Sequence, residues 1–150
     1  MRALVKEIEG GRMTSVPGIN IQWPWSQYIL SGKKTVETRH FCLPEKYRGI
    51  PIALIETPGK ADSVNRPSRA RILGLIIFDR SFSYKSFADW KRDYQRHQVP
   101  VGQHLFGYKK NQTKWGWEVQ HVEAFEKPLP APRRRGIIFT GKCYLPKYLN

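Results

Sequence analysis

Acidic residues are scarce in this chain. Its 150 residues hold 12 Asp and Glu against 26 Lys and Arg, a formal charge of +14. So large an excess opposes compaction through self-repulsion. A polyanion would offset it by releasing counterions, so nucleic acid is the expected partner class, RNA or a nucleotide first and DNA second. Cysteine is nearly missing. Cys42 and Cys143 lie far apart with no metal-ligand spacing around either, which argues against a disulfide framework and a metal site and suits two reduced thiols. Long apolar runs are also lacking. None suffices for a signal peptide or a membrane span, and no long basic amphipathic helix is evident, so the expectation is a cytoplasmic protein with no membrane partner. No glycine-rich phosphate loop, nucleophile elbow or metal quartet occurs. His40, His97, His104 and His121 fall in no catalytic spacing. No cofactor is implied, and the oligomeric state has no signal.

What the chain does hold is a β-rich pattern. Hydrophobic residues make up 40% and aromatics 13%, enough for one core. Eleven prolines and twelve glycines predict many turns and short helices. Residues 1–18 are polar and broken by Gly10-Gly11 and Pro17-Gly18, and read as an arm or short helix carrying Leu4, Val5 and Ile8. Residues 19–145 read as one domain, and 146–150 as a tail. Strands are predicted at residues 19–23, 35–41, 50–56, 71–78 and 115–125, with a short last strand or turn at 136–140. Gly74 suggests a bend, and the apolar phase slip between Val119 and Val122 a bulge. Trp25, Tyr28 and Ile29 share a helix face that ends at Gly32, and Pro24 suits the first helical position. Phe87, Trp90 and Tyr94 form a stripe on a helix over residues 84–97, expected to be core. The fold class is therefore mixed α+β, β-rich: a small, partly closed β-barrel with two or three short helices.

Residues 23–39 carry the candidate site. Lys34, Glu37 and Arg39 follow directly on the helix stop. Exposed on a strand, such ion pairs are worth little. Converging on a concave mouth, a carboxylate between cations stays ionised, and a desolvated lysine can clamp an anion or act as a base. An ideal strand points Lys34 away from Glu37, so the turn after Gly32 must re-aim it. Trp25 either packs under the helix or walls a pocket where a base could stack. Trp117, in Trp115-Gly-Trp117, reads as core first and pocket lining second. Arg133, Arg134 and Arg135 suit phosphate contacts, which give affinity without sequence preference, and Lys109, Lys110 and Lys114 add to the same field. The polar loop 57–70, with Lys60, Arg66 and Arg69, is either a surface insertion or a functional loop.

Pro24-Trp25, the run Gly32-Lys-Lys34-Thr35-Val-Glu37-Thr-Arg39, and Tyr47-Arg-Gly49 before an apolar strand together resemble the ASCH domain, a family of the PUA-like superfamily. Trp115-Gly-Trp117 and Pro130-x-Pro132-x-x-x-Gly136 are similar to its closing strands. The resemblance implies a PUA-like barrel with RNA or nucleotide bound in a cleft beside the first helix, involving Trp25, Lys34, Thr35, Glu37 and Arg39. Relatives include ribonucleases and amidohydrolases that deacetylate N4-acetylcytidine with a lysine, a threonine and a glutamate. Lys34 matches that lysine. The threonine position holds Glu37, and no residue among Asp89, Asp93 and their neighbours matches the glutamate. The expectation is an RNA- or nucleotide-binding protein. The alternatives are an RNA-processing hydrolase using Lys34 and Glu37, and an adaptor docking on ribonucleoprotein or a protein partner.

Overall fold

The computed structural model describes residues 13–60, 63–103 and 106–146. Six strands form one mixed sheet: β1 Met13–Gln22, β2 Val36–Arg39, β3 Ile52–Thr57, β4 Arg71–Tyr84, β5 Lys114–Pro130 and β6 Phe139–Pro146. Three short helices attach to it, α1 Trp25–Leu30, α2 Phe87–Arg92 and α3 Tyr94–His97. The strand order is β2-β5-β4-β3-β1-β6. β1 and β3 run parallel, while every other pairing is antiparallel. This is the β-rich architecture with short helices expected, with one difference: the sheet is not closed.

Apolar side chains fill both faces. Ile19, Ile21, Leu54, Ile76, Phe78 and Trp117 pack with Ile29 of α1, and Val16, Ile55, Leu75, Phe125, Cys143 and Leu145 pack on the opposite side. Burying two faces explains why β3 and β4 read as unbroken apolar runs. Tyr84, Trp90 and Val99 make a third cluster beneath α2 and α3.

Several elements outrun the sequence pattern. β1 begins at Met13 rather than residue 19 and runs through Pro17-Gly18, because a register shift against β6 falls between Val16 and Gly18. A Cβ on Gly18 would lie 2.6 Å from both Cys143 Sγ and Ile55 Cδ1, so the residue that reads as a breaker is there for close packing. β4 continues to Tyr84 and β5 to Pro130 as one long antiparallel ladder. The predicted bulge is present: Ile77 pairs with His121 and Phe78 with Val119, leaving Gln120 extra. Gly74 also stands at a register shift, and a Cβ there would lie 2.1 Å from the Glu123 carbonyl. The helix expected over 84–97 is two, since Asp93 ends α2 and begins α3. Its stripe is split as well. Trp90 is fully buried, while Phe87 and Tyr94 are exposed. β6 starts at Phe139, later and longer than predicted. The arm residues Leu4, Val5 and Ile8, His104 and the tail beyond Pro146 lie outside the described residues.

Candidate functional site

Helix α1 starts at Trp25 after Pro24, whose preceding peptide bond is cis. The helix stops as predicted at Gly32, with φ +82°, a conformation glycine adopts without steric cost. The Lys34 amide then donates to the Tyr28 carbonyl and the Thr35 amide to the Arg96 carbonyl. These two bonds re-aim the chain between helix and strand. As a result Lys34 Nζ lies 3.6 Å from Glu37 Oε1, and Arg39 Nη2 lies 3.2 Å from Glu37 Oε2. The triplet singled out from sequence is thus assembled in space.

Its members are placed differently. Glu37 and Arg39 line a cleft of about 550 Å3, within the size range of ligand sites. Lys34 does not line it. Its side chain is wholly buried behind Glu37 and donates to the His97 carbonyl. His97 is held in turn: its ring stacks on Trp90 at 4.7 Å, Nε2 lies 2.7 Å from the Trp90 carbonyl, and Nδ1 accepts from the Val99 amide. Because Nδ1 accepts, Nε2 carries the proton and the ring is neutral. Burial accordingly pushes the His97 pKa down to about 4.

The electrostatics follow from this burial. Desolvation lowers the Lys34 amine to about 8 against the pull of Glu37. For Glu37, burial alone would raise the carboxyl. The charges of Arg39 and Lys34 and the amide of Thr38, which donates to Oε1 at 3.0 Å, outweigh it and hold the group below its ordinary range. The acid in the cleft is therefore an anion. Arg39 also donates to the Asn20 carbonyl at 2.9 Å, and its guanidinium lies over the Trp117 ring, 5.9 Å from the centroid.

The cleft lies between the edge of β2 and the β1 side of the sheet, where the sheet does not close. Asn20, Ile21 and Gln22 of β1 form one bank and Glu37, Thr38 and Arg39 of β2 the other. Residues 133–138 cross beside β1 toward β6, tied by the Asn20 side-chain amide to the Gly136 carbonyl at 2.7 Å and by the Asn20 amide to the Ile138 carbonyl. They bring Arg133 and Arg135 to the lining, with Ile137 96% exposed. Trp25 forms a wall. Its Nε1 donates to the Gln98 carbonyl and its ring meets Phe106 edge-on at 5.2 Å.

The remaining sequence candidates stand apart. Thr35 is exposed outside the lining. Trp117 is fully buried, donating Nε1 to the Phe41 carbonyl and stacking on Phe139, so it supports Arg39 from beneath. Arg134 is exposed but outside the lining. Arg66 donates to the Gly59 carbonyl within its own loop, and neither Arg66 nor Arg69 reaches the cleft.

Most of the lining was not singled out from sequence, and two of its polar members matter for the chemistry. Asn20 is a polar interruption in the apolar run Ile19-Asn-Ile21, a signal that was available. Lys114 reads only as part of a basic field with Lys109 and Lys110, yet it is 2% exposed, lines the cleft and donates to the Phe106 carbonyl at 3.0 Å. Burial lowers its amine to about 8 against the attraction of Glu37. Among the described residues no cluster of three or more His, Cys, Asp or Glu is placed to hold a metal, and no helix is long and apolar enough to cross a membrane.

No protein-family model matches the chain, and a search of curated proteins finds no significant match. Solved structures do match. The structure of ASCH from Zymomonas mobilis aligns with a TM-score of 0.57 at 16% identity, covering 76% of this chain and 72% of that one. Two single-residue variants of the same protein align with TM-scores of 0.54 and 0.55 at 16% and 15% identity, covering 76% and 83% of this chain and 74% and 86% of theirs. The likeness is one of fold: this chain has an ASCH-like fold.

Proposed function

We propose that the cleft binds RNA or a nucleotide, with one nucleotide unit seated between Trp25 and the Glu37–Arg39 pair and backbone phosphates on Arg133 and Arg135. One observation carries this reading. A carboxylate kept ionised by cations opens into a recess whose rim is arginine. Glu37 offers an acceptor to an exocyclic amine or a ribose hydroxyl. Arg39 offers donors to a base or phosphate oxygen, and Trp25 an aromatic wall. The ASCH-like fold and the +14 charge support the same class of ligand. The test is equilibrium binding of a short single-stranded RNA, with the matching DNA beside it, across a salt series. Affinity should fall steeply with salt, and the combined Arg133→Ala, Arg134→Ala, Arg135→Ala variant should flatten the slope by about 0.7 for each phosphate it no longer neutralises. Binding indifferent to salt, or unchanged in Arg39→Ala, would overturn the reading.

A hydrolytic reading has its own observation: an anionic carboxylate close to two amines that burial lowers to about 8, a range suited to proton transfer at neutral pH. Incubation with RNA and with N4-acetylcytidine tests it. Turnover abolished by Glu37→Ala is the expected result, and equal turnover in wild type and variant refutes it.

A further inference from the structure

The site holds two buried lysines, and they do not have equivalent surroundings. Lys34 Nζ is sealed between Glu37 Oε1 and the His97 carbonyl, with no exposed side-chain surface and no place in the cleft lining. Lys114 Nζ enters from the first residue of β5. It lines the cleft, and among the described residues only the Phe106 carbonyl accepts from it. An ammonium has three donors, so two remain. We infer that Lys114 is the amine that contacts the bound ligand, donating to one of its oxygens, and that Lys34 is a positioning residue that props Glu37 from behind.

This inference rests on the binding reading above and refines it. Four observations support it. Arg39 is tethered through Nη2 to the Asn20 carbonyl and Glu37, at 2.9 and 3.2 Å, so its remaining donors are held beside β1 and Lys114 adds a second cation to the lining. Phe106, which anchors Lys114 by its carbonyl, also packs on Trp25, which fixes the amine relative to the wall of the cleft. Desolvation first lowers the His40 imidazole, and the positive field that adds to it comes from Lys114, then Lys109 and Arg39. Finally, burial lowers both amines, but only that of Lys114 lines the cleft, where a carbonyl reagent can reach it.

The wild-type protein supplies the first test. Pyridoxal 5′-phosphate is an anionic aldehyde. Its carbonyl carbon condenses with a neutral amine, water leaves, and borohydride delivers hydride to the resulting imine, fixing a secondary amine. Peptide mapping should find the label on Lys114, reduced several-fold when short single-stranded RNA is present, with Lys34 unlabelled. Label on Lys34, or none on Lys114, overturns the inference. The second test is binding of oligouridylate and oligoadenylate to Lys114→Met, Lys114→Arg and Lys34→Met. Lys114→Met should weaken binding about tenfold or more, the size of one charge-assisted hydrogen bond, and Lys114→Arg should restore part of it. Loss on both oligonucleotides assigns the contact to phosphate, and loss on oligouridylate alone assigns it to a base carbonyl. Loss on neither overturns the inference. If Arg39→Ala still loses binding in that case, only the role of Lys114 fails. If Arg39→Ala also binds normally, the cleft reading fails with it. For Lys34→Met, carbon-13 titration of the Glu37 carboxyl should show its pKa raised, and thermal stability should drop while binding at low temperature persists. An unmoved Glu37 pKa would overturn the positioning role.

Discussion

Glu37 and Glu56 are both buried carboxylates, both within the sheet, and only one faces a cavity. Glu56 is fully buried, and its oxygens accept from Ser26 Oγ at 2.8 Å, Gln27 Nε2 at 2.6 Å and Arg71 Nε at 2.9 Å. Two of those donors belong to α1, so the acid clamps the helix onto β3 and β4, and it takes no part in the cleft lining. Glu37 has one backbone amide and otherwise relies on cations, one sealed behind it and one reaching across to β1. The difference is in the donors. Two neutral donors from a packed helix, with one arginine from β4, close Glu56 off. Glu37, met by one amide and two cations, keeps acceptor capacity toward the cleft.

The sharpest way to break the comparison is Glu56→Ala. It strands Ser26 and Gln27 and leaves a void, and should cost about 2–4 kcal/mol. Denaturant unfolding checks this, and RNA binding by the folded fraction should survive. Glu37→Gln should produce a comparable or smaller loss at pH 7, but one that depends on pH. Without its carboxylate, Lys34 drops its proton more readily. The deficit against wild type should therefore shrink as pH rises through about 8 and stay level above it, where wild-type Lys34 is neutral too. Glu56→Gln has no titrating amine beside it, so its deficit should stay level over the same range. Parallel pH profiles for the two variants would erase the distinction.

The wild-type curve sharpens it further. Lys34 and Lys114 titrate at about 8 in the folded state against a reference of 10.5. Between those values the unfolded chain binds more protons, so stability should rise with pH. Lys114→Met should remove part of that rise, as read by chemical denaturation at pH 8 and pH 10. The smallest effect belongs to the turn that aims Lys34. Gly32→Ala has open space for its Cβ but must hold φ near +82°, so it should cost about 1 kcal/mol, seen as a shift of roughly 2–4 °C in melting temperature.

The sequence disclosed Glu37 more readily than its surroundings. Gly32, Lys34, Glu37 and Arg39 lie within eight residues, so local turn chemistry alone brings them together, and a linear reading can find them. Glu56 reads only as the last residue of an apolar strand. Its partners Ser26, Gln27 and Arg71 come from elsewhere in the chain, and nothing local announces them. Lys114 is hidden for the same reason, its anchor being a carbonyl in a loop. The direction in which Lys34 faces was also out of reach, since it depends on the His97 carbonyl, 63 residues away. Elements with local causes, such as the stop at Gly32 and the bulge at Gln120, were legible. The reach of β4 and β5 was not, because long-range pairing overrides the prolines and polar residues at their ends.

The open edge between β2 and β1 has a further consequence. A hydrogen-bonded ladder sets the spacing of neighbouring strands at about 4.8 Å, and that spacing cannot be tuned. Here the β1 bank of the recess is extended by a looped crossing, residues 133–138, moored at Asn20. Lengthening or shortening that crossing would alter the aperture while every strand kept its register. Selectivity for guest size and durability of the scaffold can thus diverge independently in this architecture, each governed by its own stretch of chain.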